Sequence, residues 1–168
     1  MAELSQIFSE TLDLYLLTKI FIKILCTTIQ TKKAILFLVD KKTGKLKTQE
    51  SKNMPSKIKN MRIARNVSLI KILSESDTIQ LKYELEENNI AMGGLENLDL
   101  ELFIPMRNRE KLQGILCLGP KLSKELYSLE ELKMLETIAR SAALSINNAS
   151  LFTQLKEGHL EIGEVGLI

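Results

Sequence analysis

Residue types that could do chemistry are few in this chain, and their spacing does not assemble them. His159 is the sole imidazole, and it stands in the tail after the last apolar helical stretch. Cys26 and Cys117 each sit inside an apolar run, Ile24-Leu-Cys26 and Ile115-Leu-Cys-Leu118, with no metal-type or redox-type spacing between thiols. They read as two buried thiols in a reducing compartment, because a free cysteine packs as a small hydrophobe. A serine or cysteine nucleophile needs a base within reach, and the single imidazole is misplaced for that role. Two thiols without further donors do not make a zinc site. The adjacent pairs Glu86-Glu87 and Glu130-Glu131 diverge by about 100° if helical, so neither pair shares a site. No catalytic residue, metal site or cofactor is expected.

A small-ligand pocket is the remaining chemistry. Its candidates are Arg62, Arg65, Asn66, Ser68 and Tyr83. Arg62 and Arg65 are spaced i, i+3 and would grip one carboxylate or phosphate together if that stretch were helical. The competing reading makes them surface charges beside a loop. Met54, Met61, Met92 and Met106 cluster around the same stretch, either as lining for an adaptable apolar pocket or as core filler.

The elements that must position these residues follow from apolar periodicity. Residues 3–30 contain no Gly or Pro and read as one long helix with two apolar stripes. Ala34–Val39 is a strand apolar on both faces, Asp40–Gly44 carries turn chemistry with Gly44 suited to positive φ, and the strand returning to Glu50 completes a hairpin. Residues 51–99 are less regular. Met54-Pro55-Ser56 breaks the chain, Val67–Leu73 is a short helix with Asn66 or Ser68 as its cap, and Ile79–Leu81 is a short strand. Residues 100–120 form a second hairpin. Ser128-Leu-Glu-Glu131 is a capping box, with Tyr127 able to staple onto Leu132, and it opens a helix over 128–156. Residues 157–168 read as a tail or the start of a linker. One domain over 1–156 is expected.

The bulk numbers agree with one cytoplasmic domain. The chain has 168 residues, 45% apolar and 5% aromatic, so the core must be mainly aliphatic. Lys plus Arg number 23 against 21 acidic residues, and a net charge of +2 gives no strong reason to bind nucleic acid or an anionic membrane. The looser basic cluster over residues 52–65 reads as a solvated loop. Lys19 and Lys23 interrupt the apolar N-terminal residues before they reach the ~18–20 that a spanning helix needs. Glu3 stands where a signal peptide would be basic.

The order helix, hairpin, irregular insert, hairpin, long helix resembles a GAF domain. The resemblance is carried by Leu102-Phe-Ile-Pro-Met106, Leu112-Gln-Gly-Ile-Leu-Cys-Leu-Gly-Pro-Lys-Leu122, Tyr127-Ser-Leu-Glu-Glu131, Leu135-Glu-Thr-Ile-Ala139 and Ala142-Ala-Leu-Ser-Ile-Asn-Asn-Ala-Ser-Leu151, with Ile35–Asp40 and Gly44 similar to the family's first hairpin. It implies an α+β, PAS-like architecture. A central antiparallel sheet would carry the long N- and C-terminal helices on one face, and an irregular insert enclosing a pocket over the other. It further implies a bacterial sensory domain that forms a homodimer through its terminal helices and regulates an output domain such as a histidine kinase, diguanylate cyclase, phosphodiesterase or phosphatase. The second stripe of each helix then needs a partner, and Leu14, Leu17, Phe21, Ala142, Ile146 and Ala149 are the candidate interface. The family's haem, bilin, cyclic-nucleotide and methionine-sulfoxide chemistries lack their residues here: no pocket His accompanies a Cys, no Asn-Lys-Phe-Asp-Glu-like set occurs, and the thiols lie in separate apolar runs. A ligand-free dimerising scaffold and the effector-binding domain of a transcription regulator are the alternative readings.

Overall fold

The computed structural model describes residues 13–158. The first part of the expected N-terminal helix, residues 3–12, and the tail with His159 lie outside them.

Helix α1 spans Leu14–Ile29. The Asp13 carboxylate accepts the Leu16 N–H at 3.1 Å and caps it, and Gln30 ends it in the left-handed region at φ 60°. Strands β1 (Ala34–Val39) and β2 (Leu46–Lys52) form the first hairpin. Gly44 takes φ +77° in the turn, and its N–H donates to the Asp40 carbonyl at 2.7 Å. The insert holds a 3₁₀ turn over Ser56–Asn60, strand β3 (Arg62–Ile63), helix α2 (Ser68–Glu75), strand β4 (Gln80–Leu81) and helix α3 (Lys82–Glu87). Strands β5 (Leu102–Asn108) and β6 (Lys111–Leu118) form the second hairpin, and helix α4 runs Leu129–Gly158. The capping box forms: Ser128 N–H donates to Glu131 Oε1 at 2.8 Å, and Glu131 N–H donates to Ser128 Oγ at 3.1 Å.

The strands make one antiparallel sheet in the order β3-β2-β1-β6-β5-β4. Each face carries its own core. Leu17, Phe21 and Leu25 of α1, and Leu135, Ala139, Ala142 and Ile146 of α4, pack with Leu36, Ile104 and Leu116 on one face. Ile58, Ile63, Leu69, Ile70, Leu73, Leu85, Met92 and Leu95 of the insert pack with Ile35, Phe37, Phe103 and Cys117 on the other. Coverage on both faces explains why β1 and the centre of β6 are apolar without alternation.

Two expectations fail here for packing reasons. Leu17, Phe21, Ala142, Ile146 and Ala149 are at most 2% exposed within the single chain, and Leu14 is half-buried. The first five candidate interface residues are therefore core and Leu14 packs at its margin, because α1 and α4 lie side by side and each covers part of the other's flank as well as the sheet. The apolar side chains left outward on these helices include Tyr15 (61% exposed), Leu16 (47%), Leu144 (51%) and Leu151 (46%). The insert also does not stand off the sheet to leave a pocket. The side chains between the two are each no more than 6% exposed. Met92 belongs to that core with Met54 and Met61 against it, whereas Met106 is buried on the helix face.

Candidate functional site

Two β-bulges shape one end of the sheet. In the first hairpin Leu36 pairs with Glu50 and Phe37 with Thr48, so Gln49 is the extra residue. In the second, Met106 pairs with Gly114 and Arg107 with Leu112, so Gln113 is extra. A bulge re-aims side chains and can end pairing, and both effects follow. Gln49 turns toward α1, where its Nε2 donates to Thr18 Oγ1 at 3.3 Å. Leu112 joins the insert-side core although simple alternation from Leu116 and Gly114 would place it on the helix side.

The same bulges open the middle of the sheet. Pairing between the central strands β1 and β6 stops at Leu38 with Gly114. Each hairpin nevertheless continues to its own turn, through Val39 with Leu46 and through Asn108 with Lys111. Gly114 is required at the last pair, because a Cβ there would run into the Phe37 carbonyl oxygen. Beyond that close approach the strands separate.

Two grooves meet at this opening and share Val39, Lys41 and Gln113. One has a volume near 560 Å³ and adds Arg65 and Ser74 from the insert, Lys111 from β6 and Asn147 from α4. The other, near 410 Å³, adds Lys42, Lys47 and Gln49 from the first hairpin, with Leu14 of α1 and Ile146 and Ser150 of α4. Lys41, Lys42, Lys47, Arg65 and Lys111 face only Asp40 and Glu110 among the lining residues. Among the described residues none of these five cations is in an ion pair, unlike Lys33, Arg107 and Lys121. Asp40 is committed to its turn: the Lys42 N–H, at 2.9 Å, and then Thr43 and the charge of Lys47 hold its carboxyl below the usual range.

The residues singled out from sequence do not converge. Arg62 lies on β3 at one edge of the sheet, and Tyr83 follows β4 at the opposite edge. Arg62 is in a strand and Arg65 in the turn after it, so the helical two-arginine grip does not form. Asn66 and Ser68 are exposed, and neither caps α2: Val67 occupies the cap position without a side-chain bond, and Ser68 is the first helical residue. Tyr83 is 59% exposed, donates to Glu84 Oε1 at 3.3 Å, and lines a separate groove with Leu126 and Tyr127. Of the five, only Arg65 lines the opening between β1 and β6. Lys41, Lys111, Gln49, Gln113 and Asn147 were not foreseen. For Gln113 a polar residue inside an apolar strand was the available signal, and it marks a bulge only when the partner strand is known.

Neither thiol is poised for chemistry. Cys117 is fully buried and Cys26 is 2% exposed, and burial raises both above their ordinary titration range. Among the described residues no cluster of His, Cys, Asp and Glu could hold a metal ion. No described helix is long and apolar enough to cross a membrane.

No family model matches the sequence, and no curated protein matches it significantly. Solved structures do match in fold. The GAF domain of a phosphoenolpyruvate-protein phosphotransferase from Coxiella burnetii is 22% identical, with a TM-score of 0.73 over 92% of this chain and 94% of that one. The corresponding GAF domain from Acinetobacter is 16% identical, with a TM-score of 0.71 over 89% and 92%. A free methionine-R-sulfoxide reductase from Neisseria meningitidis, solved with its substrate, is 9% identical, with a TM-score of 0.68 over 89% and 87%. The six-stranded sheet, the two helices on one face and the insert on the other thus have the GAF fold.

Proposed function

We propose that this chain is a non-catalytic regulatory domain that acts inside a longer signalling protein and conveys its state through α1 and α4. The observation that carries the reading is where the helices begin and end. Leu14 at the start of α1 and Ser150 near the end of α4 line one groove, so the two helices run antiparallel with these ends together. Helix α4 then continues to Gly158, about two turns further at 3.6 residues per turn. Segments joined to α1 and α4 would meet at the open end of the sheet. GAF-fold domains of a two-component sensor histidine kinase from Bacillus halodurans and of a GAF/HD-domain protein from Geobacter sulfurreducens have similar structures, which supports a role beside an output domain. The buried thiols support the absence of catalysis. Incubation with free methionine-R-sulfoxide and a thiol reductant is expected to give no turnover, and measurable methionine release would overturn that part.

Pairing with a second copy belongs to the same reading. With Leu17 and Ala142 in the core, pairing through the terminal helices would use their exposed apolar side chains, among them Leu16 and Leu144. Sedimentation at tens of micromolar is expected to give a dimer. Leu144→Glu should give a monomer with an unchanged circular dichroism spectrum, and a monomeric parent chain would overturn the pairing.

The packed space beneath the insert favours a second reading, in which the domain pairs and orients its neighbours with no ligand there. A ligand-induced rise in melting temperature that disappears on changing insert-core residues would count against it.

A further inference from the structure

We infer that the opening between β1 and β6 is a binding site for a small phosphorylated metabolite. The space under the insert is a filled core, but the sheet itself supplies a site at its end. The grooves, near 560 and 410 Å³, fall in the roughly 300–1,000 Å³ range of small-molecule sites. Their charge is one-sided. Lys41, Lys42 and Lys47 of the first hairpin, Arg65 of the insert and Lys111 of the second hairpin come from three parts of the chain, and no ion pair among the described residues joins them to a carboxylate. Asp40 and Glu110 are the two carboxylates in the lining, and Asp40 stays ionised beside Lys47, so the cations outnumber them five to two. Gln113 and Asn147 add neutral hydrogen-bonding groups, and Val39 and Leu112 add an apolar wall for a non-phosphate part. A phosphate with its organic group attached matches this mixture better than a hydrocarbon or a cation.

The sequence hides this convergence. The net charge of +2 averages over the whole chain, whereas the two bulges and the separated strands bring five cations to one end.

The position of the site deepens the regulatory reading, and this part rests on it. Asn147, Ile146 and Ser150 belong to the last turns of α4 whose side chains are described, and Leu14 begins α1. A ligand drawn between β1 and β6 would touch both helices where they leave the domain. It would bias α4 only if it bound two arrangements unequally.

The test is amide NMR of the full chain titrated with inorganic pyrophosphate, against sodium sulfate at equal ionic strength. Saturable shifts confined to residues 38–47, 65, 74, 111–114 and 146–150 are expected with pyrophosphate. Lys111→Gln combined with Arg65→Gln should weaken the apparent Kd at least tenfold while leaving the amide spectrum folded. Shifts spread equally over Lys32, Lys33, Lys121 and Lys124, or equal shifts with sulfate, would mean general charge screening and overturn the site. Shifts at Val39 and Gln113 without any at 146–150 would keep the binding site and overturn its coupling to α4. Absence of binding would remove the site and leave the regulatory reading to be judged by pairing and output.

Discussion

Gly114 shows how much one residue can decide. It stands at the last pair between β1 and β6, where the backbones approach too closely for any side chain. Gly114→Ala is expected to destabilise the domain by about 3 kcal/mol or more, since relief requires moving backbone rather than a flexible side chain. Gly44 is the informative contrast. Its surroundings are open and only its φ of +77° is unusual, so Gly44→Ala should cost about 1 kcal/mol. Urea unfolding of both variants checks this, and equal effects would show that the Gly114 approach is not tight. The turn glycine was legible in Asp40-Lys-Lys-Thr-Gly44. The packing glycine was not, because its reason lies on a strand far away in sequence.

At the level of elements, the start of α4 is local chemistry. Ser128 and Glu131 exchange hydrogen bonds, and Lys121 Nζ lies 3.0 Å from Glu131 Oε1. The Ser128 N–H is the main reason that the Glu131 carboxyl titrates below its ordinary value of 4.5, with Lys121 adding to it. A carboxyl lowered by folding contributes stability that is complete above its unfolded value and is lost as pH falls through its folded value. Stability should therefore drop below about pH 4.5 partly through this group. Glu131→Gln should lower stability at pH 7 and flatten that acid limb. Ser128→Ala should cost about 1 kcal/mol at neutral pH. Thermal melts from pH 3 to 7 measure both, and an acid limb unchanged by Glu131→Gln would refute the assignment. This capping box and both hairpins could be read in advance because their determinants are a few residues apart. The helix stripes were harder. Leu17 and Phe21 look equally suited to a neighbouring subunit and to the chain's own sheet until the angle between α1 and α4 is known.

At the scale of the molecule, the two cores on one sheet enclose both thiols. Cys26 lies in the helix-side core and Cys117 in the insert-side core. Both should resist a thiol reagent at pH 7 in the native state, and two equivalents should react after denaturation, matching the two cysteines of the chain. Mass spectrometry of the labelled protein distinguishes the cases. Rapid native labelling of Cys117 would mean that the insert opens readily from the sheet.

The amino-acid order by itself determined α2, α4 and the described part of α1, the two hairpins, their turns and the cap of α4, but not the short helix α3, since the former depend on periodicity and on contacts within one or two turns of chain. It also showed that reactive groups were not gathered by spacing. Only the tertiary structure decided which apolar stripes were internal, that the insert filled its own cavity, and that Lys41, Arg65, Lys111 and Gln113 met at one end of the sheet. The physical reason is that burial and charge convergence depend on strand register. A single extra residue in a strand, such as Gln49 or Gln113, changes where every later side chain points without leaving a distinctive local pattern.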